Sequence, residues 1–399
     1  MEYIIVVGGG MSNKGAQSMV FQIVSEMKKR FPQKKTVALI DMKPDDAKSM
    51  NTIYNFEIVP FGIRHIFYLY GKAQTILAKV SGTSKNDIMR IKEILKNACL
   101  AFDVSGYSLS SNWIAINSIK YLYQIAVLKK YGIPTILMPQ SFGPFNYGAL
   151  FEHYIKRIGR RLLSYPVVIF AREQYSCESV KNFFHLNNVC LSKDMVLTGK
   201  EVERSSVLCP EIKLREFCIG KSCVAVVPNN KLAEKFSLQK ALAIYKTVID
   251  TLIEYNRDVY IIQHSGADID LCVEIKDCYP DNPHITLLQE NLNCLEYDLL
   301  IRQFDYIIAS RYHSLVHAYR QNVPCIAIGW SEKYDSLMNV MRQSEYMINA
   351  KNLGENEIPL KIAKMQQDYR KEQNVIYNFF AHMNENIYDK IFSNLDVKE

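Results

Sequence analysis

Short runs of consecutive apolar residues alternate with longer stretches in which apolar positions recur every three to four residues. The first run is Tyr3-Ile4-Ile5-Val6-Val7, and behind it Ala16, Met19, Val20, Ile23, Val24 and Met27 form one stripe, with Asn13 placed to cap it. The pattern reads as a buried strand followed by an amphipathic helix. Further strands are expected at Thr36–Ile40, Phe102–Ser105, Thr135–Met138 and Val167–Ala171, with a helix over Trp113–Lys130 that Gly132 and Pro134 close. Periodicity fades from Val196 to Ser222 and then resumes. Strands follow at Val224–Val227, Val259–Gln263, Ile285–Leu288, Tyr306–Ala309 and Cys325–Ile328, with helices at Leu238–Tyr255 and from Ser331. Ile358–Ile391 is helical in pattern. Strands alternating with helices predict parallel sheets built of βαβ units.

At 399 residues two domains are the default. The expected division is an N-terminal Rossmann-like domain over 1–200, a linker over 201–222, a C-terminal Rossmann-like domain over 223–357, and a helical segment over 358–399 that packs back on the N-domain. A hydrophobic content of 48% with 22% charged residues describes a globular protein, and no run of about 18 apolar residues offers a spanning helix. The chain opens on a strand without a basic leader and cleavage site, so no signal peptide is expected. Ten dispersed cysteines without a CxxC pair read as reduced and mostly buried, which points to the cytoplasm and away from structural zinc. The net charge of +7 suits anionic substrates or a membrane surface and is too small and scattered for nucleic acid.

The chemistry concentrates where Tyr306–Ala309 ends. Ser310-Arg311-Tyr312-His313-Ser314 spans a strand end and a helix start, and Asn322-Val323-Pro324-Cys325-Ile326-Ala327-Ile328 and Lys333 follow. In an open α/β sheet ligands bind at such strand ends. The helix N-terminus favours a phosphate or carboxylate, Arg311 adds a fork of donors, and His313 adds a group that titrates near neutrality.

These residues resemble the C-terminal signature of the polysaccharide pyruvyl transferase family. Three earlier blocks fit the same family in order: Ser12-Asn13-Lys14-Gly15-Ala16, Pro139-Gln140-Ser141-Phe142-Gly143-Pro144 and Phe170-Ala171-Arg172-Glu173. The resemblance runs from about Gly8 to about Lys333. One departure is the loop Asp103-Val104-Ser105-Gly106-Tyr107-Ser108, which has one glycine where family members often carry a pair. The resemblance implies two Rossmann-like domains facing across a cleft, as in glycosyltransferase-B enzymes, with the acceptor on the N-terminal side and the donor on the C-terminal side. It implies transfer of a pyruvyl group from phosphoenolpyruvate to a sugar of a surface-polysaccharide precursor, with no resident cofactor. The family's donor-binding cations fall on Arg172, Arg311 and Lys333, and its Arg-x-His histidine on His313, the expected general acid. Asn13, Gly15, Ser141, Gly143, His264 and Ser314 are candidate lining residues.

Several features have plainer readings. His317, one turn after His313, could pair with it as metal ligands, but no carboxylate joins them in sequence, so a packed histidine is expected and no metal. Gly8-Gly9-Gly10 lacks the GxGxxG spacing, which argues against a nicotinamide cofactor. The stretch Tyr154–Leu163 carries Lys156, Arg157, Arg160 and Arg161 on one helical face. It is either a solvated face or a contact for an anionic membrane bearing a lipid-linked glycan acceptor, in which case Ile155, Ile158, Leu162 and Leu163 would dip into the interface. Ile66–Tyr70 could join that contact or be core. The competing functions are a nucleotide-sugar glycosyltransferase of the same fold and a non-enzymatic anion-binding protein. Between Ser310 and Arg342 the acidic residues are Glu332 and Asp335 alone, which disfavours the glutamate pair many such glycosyltransferases use on the ribose.

Overall fold

The computed structural model describes residues 2–71, 84–383 and 385–393. The last six residues of the expected helical segment lie outside the described residues. The chain divides into two compact units: residues 1–11, 16–213 and 386–399 form unit 1, and residues 12–15 and 214–385 form unit 2.

Unit 1 is built on a seven-stranded sheet: β1 (Tyr3–Val7), β2 (Lys35–Ile40), β3 (Glu57–Pro60), β4 (Ala98–Asp103), β5 (Thr135–Gln140), β6 (Val168–Ala171) and β7 (Val189–Leu191). Its order is β3-β2-β1-β4-β5-β6-β7, with every pair parallel. Unit 2 has a six-stranded parallel sheet: β8 (Cys223–Val227), β9 (Asp258–Ile262), β10 (Ile285–Leu288), β11 (Tyr306–Ala309), β12 (Cys325–Gly329) and β13 (Met347–Asn349), in the order β10-β9-β8-β11-β12-β13. The central strands read as unbroken apolar runs because helices cover both faces; β1, β8 and β11 are buried at every position.

Each order reverses once, between β1 and β4 and between β8 and β11. Connections leave these neighbours in opposite directions, so each sheet has a crevice at the carboxyl ends of the pair. The loop after β11 begins with Ser310 and Arg311, and the one after β4 holds Val104–Ser108.

Among the described residues the C-terminal region holds two helices. Glu357–Ala381 packs within unit 2, where Arg257 donates to Gln366 and Gln343 to Glu372. Ile387–Ser393 belongs to unit 1, with Phe392 edge-on to Phe31 at 5.4 Å and Asp389 paired to Arg30. The break comes at Asn386, whose side chain accepts from the Tyr388 N–H at 2.9 Å and so starts a new helix. Three short edge strands, β3, β7 and β13, were not expected from the sequence. At three or four residues each they carry too little pattern to stand out.

None of the ten cysteines is in a disulfide; five are buried, three half-buried, and Cys218 and Cys278 are exposed, so burial covers only half of the set. Among the described residues no helix is long and apolar enough to cross a membrane. The basic helix Ala149–Leu163 corrects one expectation. Ile155, Leu162 and Leu163 point into the core of unit 1 and Ile158 packs against it, so none of them can dip into a lipid interface. The exposed apolar residues are Leu150, Phe151 and Tyr154, in the first turns. Ile66 and Leu69 are core residues of the helix Ile63–Tyr70.

Candidate functional site

The site in unit 2 grows from the β8/β11 reversal. β11 delivers Ser310 and Arg311, and the helix Tyr312–Arg320 starts immediately after. The loop is fixed from behind: the Ser310 carbonyl accepts from Asn229 at 2.9 Å and from the Tyr334 phenol at 2.8 Å, and the Ser310 hydroxyl meets Tyr245 at 2.7 Å. Buried Ser314 accepts from Tyr297 at 3.2 Å, which packs the first helical turn from beneath.

Arg311 reaches across to Asp268. Its Nε donates to one carboxylate oxygen at 2.9 Å and its Nη2 to the other. Asp268 is fully buried and also accepts the backbone N–H groups of Asn230 at 3.1 Å and Ser265 at 3.0 Å. The guanidinium is therefore oriented before any ligand arrives, while its side chain keeps 16% of its surface exposed.

Residues 12–15 add a second wall. Asn13 forms an isolated antiparallel bridge with Ser265, and the Lys14 N–H donates to the His264 carbonyl at 3.3 Å. Lys14 Nζ donates to Asn291 at 3.0 Å. Lys14 is only 1% exposed, and burial pulls its pKa down to about 8 against the pull of Cys294, Asp268 and Glu296. Gly15 faces His313 so closely that a Cβ there would lie 2.1 Å from the imidazole Cγ.

His264 is 1% exposed, and among the described residues neither of its ring nitrogens has a hydrogen-bond partner. Burial drives its pKa far below the ordinary value, and the neighbouring His317, Arg311, His313 and Lys14 add to the effect. It is a neutral imidazole inside a basic ring. His317 has a carboxylate after all, since Nδ1 meets Asp298 at 2.6 Å; Asp298 comes from the helix Cys294–Ile301 and was invisible from sequence spacing. That pair, with Tyr297 at 5.4 Å from His317, packs beneath His264. Among the described residues no three His, Cys, Asp or Glu side chains are grouped to hold a metal ion. Lys333, on the helix Glu332–Val340, lies over the Tyr312 ring at 5.6 Å, and Tyr312 stands edge-on to His313 at 5.3 Å.

Asn13, Gly15, His264, Arg311, His313, Ser314 and Lys333 thus all belong to unit 2. Lys14 and Asp268 were not among the candidate residues, although Lys14 lies inside the block Ser12–Ala16 and Asp268 follows His264 by four residues. A buried lysine beside a glycine, and an acid two turns from a strand end, are signals only once the fold sets them beside Arg311.

Arg172, Ser141 and Gly143 belong to unit 1. Arg172 follows β6 directly, with its side chain 3% exposed. It donates to Asp194 at 2.8 Å, to the Ser141 hydroxyl at 2.8 Å and to the Gly106 carbonyl at 3.2 Å, and lies 3.7 Å from Glu173. Ser141 passes the chain on by donating to Glu173 at 2.8 Å. Gly106, the lone glycine of its loop, takes φ +68°, where glycine avoids the strain of a side chain. Gly143 also has positive φ, and its carbonyl accepts from Tyr107 at 2.8 Å.

Unit 2 is thus a parallel α/β sheet that carries a preset, mostly basic cluster at its strand-order reversal, chemistry suited to an anion. The family model for polysaccharide pyruvyl transferase matches residues 13–332, and the chain belongs to that family, a family of transferases. Lys333 falls one residue beyond the matched span. No curated protein sequence matches the chain. Among solved structures, Anabaena HepE in complex with UDP is similar at TM-score 0.58 and 9% identity, covering 98% of this chain and 100% of that one. S. aureus MnaA in a structure with UDP is similar at TM-score 0.57 and 9% identity, over 94% and 90% of the two chains. The UDP-GlcNAc 2-epimerase of Methanocaldococcus jannaschii is similar at TM-score 0.56 and 11% identity, over 91% and 92%. At such identities the likeness concerns the fold, which is of the glycosyltransferase-B kind.

Proposed function

We propose that this protein transfers the pyruvyl group of phosphoenolpyruvate to a sugar of a surface-polysaccharide precursor, forming a cyclic ketal and releasing phosphate. One observation carries the reading: Lys14, Arg311, His313 and Lys333 gather at the β8/β11 reversal, and the carboxylate bound there, Asp268, is spent on orienting Arg311. The donor brings a phosphate and a carboxylate, and needs at least two cations in fixed geometry. In this reading Arg311, Lys14 and Lys333 hold those groups. His313 gives its proton to the methylene carbon, leaving a cation-like centre at C2. A sugar hydroxyl adds there and returns its proton to His313. A second hydroxyl then closes the ring as the C2–O bond to phosphate breaks, and its proton leaves with phosphate. His264, held neutral, adds no charge that would compete with Lys14 for the anion. Arg172 supports the reading as a family position, with its contacts holding the Gly106 loop. The acceptor is a lipid-linked glycan on the cytoplasmic side of the membrane.

Thermal shift with phosphoenolpyruvate, beside UDP- and GDP-sugars, tests the donor; a ligand bound only by the native state raises the unfolding temperature by mass action. Stabilisation by phosphoenolpyruvate alone is expected, and stabilisation by a nucleotide sugar alone would replace this reading with a glycosyltransferase. His313→Gln should keep donor binding and lose turnover by roughly 10²–10⁴-fold.

A further inference from the structure

Unit 1 has its own strand-order reversal, between β1 and β4, and a cavity of about 360 Å³ opens there. Its size falls at the lower end of the usual range for ligand pockets, roughly 300–1,000 Å³. One wall is aromatic. Trp113 donates its indole N–H to the Tyr107 carbonyl at 2.9 Å, and the two rings meet edge to face at 5.8 Å. Tyr107 in turn donates to the Gly143 carbonyl and accepts from Ser110 at 3.0 Å, so the wall is stiff. The lining also has polar groups: Asp41 and Lys120, paired with each other, and Asn117 on the same helix as Lys120, beside apolar Leu39 and Phe61. Ser105 belongs to the floor, with its N–H and hydroxyl both donated to Asp103 at 3.1 Å. Asp103 is fully buried, accepts from Gln124 and Gln140 as well, and has its pKa raised by burial to about 6.

A pocket that combines aromatic rings with carboxylate, amide and ammonium groups matches a pyranose, which has apolar C–H faces and a girdle of hydroxyls. It does not match a nucleotide. The Lys120 charge is already matched by Asp41. The glycines that might approach a pyrophosphate are taken up by packing, since a Cβ on Gly8 would lie 2.0 Å from Ser105 Oγ and one on Gly9 2.4 Å from Val20.

We propose that this pocket is a saccharide subsite that takes one pyranose ring, stacked on Trp113 and hydrogen-bonded by Asp41, Asn117 and Lys120. Its service as the acceptor site rests on the transferase reading; its saccharide chemistry does not. The chain has two tryptophans, so Trp330→Phe leaves Trp113 as the sole indole emitter. In that full-length background the protein is titrated with the methyl pyranosides of glucose, galactose, mannose, N-acetylglucosamine and N-acetylmannosamine, with sorbitol and UMP as controls. A saturable change of Trp113 emission is expected with at least one pyranoside at millimolar concentration, and none with sorbitol or UMP. Asn117→Ala and Asp41→Asn, both near the surface, should each weaken the response roughly fivefold or more, as loss of a hydrogen bond does. No saturable response to any pyranoside, a response indifferent to both substitutions, or one to UMP that Asn117→Ala removes would overturn the proposal. A pyranoside response without a phosphoenolpyruvate thermal shift would sink the donor reading and leave the pocket standing.

Discussion

Gly15→Ala places one methyl group against the imidazole of His313. The new Cβ would stand 2.1 Å from Cγ and 2.4 Å from both Cβ and Nδ1 of His313. To reach ordinary contact the ring must retreat by about 1.3 Å. Overpacking of this kind costs about 1–3 kcal/mol. Alanine regains up to about 1 kcal/mol over glycine within a helix, and Gly15 is the second residue of the helix Lys14–Arg30, outside the positive-φ region. The net effect on stability should be about 0–3 kcal/mol, a lowering of the unfolding midpoint by a few degrees. The effect on turnover should be far larger, because a reacting group displaced by about 1 Å can lose roughly 100-fold. Transfer of labelled pyruvate from phosphoenolpyruvate into a lipid-extractable glycan measures it, and the thermal shift with phosphoenolpyruvate should persist because Arg311 and Lys14 are untouched. A double-mutant cycle separates displacement from general damage: in a His313→Gln background Gly15→Ala should add almost nothing. Turnover of Gly15→Ala within about threefold of the parent, or a full additional loss in the His313→Gln background, would refute the assignment of His313.

Arg172→Met should destabilise unit 1 by about 3–5 kcal/mol, since it strands the buried carboxylates of Asp194 and Glu173; denaturant unfolding that matches the parent would show the network to be dispensable. Lys14 titrates at about 8 because burial lowers its pKa, so its charge is lost as pH rises through that value. The phosphoenolpyruvate thermal shift should therefore weaken above about pH 8 and lose that dependence in Lys14→Gln. Apart from ligand, burying the charged amine costs stability below about pH 8, and that cost fades between pH 8 and the ordinary lysine value of 10.5. On the helix Ala149–Leu163, Lys156, Arg157, Arg160 and Arg161 contribute about 1 kcal/mol each at an anionic surface, with exposed Leu150 and Phe151 beside them. The protein should sediment with anionic vesicles at low salt and release at high salt. Changing the four basic residues to Gln should abolish binding and Leu150→Ser with Phe151→Ser weaken it, and no binding at low salt would return the helix to a solvated surface.

The central strands were legible because both-face burial writes them as unbroken apolar runs, as in Tyr3–Val7 and Tyr306–Ala309. Arg311 and His313 were legible for the same reason: a buried strand followed by a helical stripe fixes the loop between them. Asp268 was not, because it sits 43 residues before its partner and only the adjacency of β8, β9 and β11 joins them. Asp298 escaped for a similar reason, and so a histidine that looked unaccompanied turned out paired. The orientation of the helix at Ala149–Leu163 stayed open because both its apolar stripe and its basic face are visible in sequence, whereas which one meets the core depends on the helix–sheet packing around Phe184 and Ile169.

The chain order of unit 1 has a consequence for how the molecule is made. Residues 386–393 complete that unit, with Tyr388 only 2% exposed and Phe392 against Phe31, yet they are synthesised after all of residues 214–385. The bulk of unit 2, residues 214–385, is thus an insertion in the sequence of unit 1, and its residues 12–15 are made near the start. As the chain leaves the ribosome, unit 2 can close its sheet while unit 1, begun first, still waits for its final helix. Folding in order of synthesis, the usual habit of multidomain chains, is interrupted here: the unit that starts the chain is also the last to be finished.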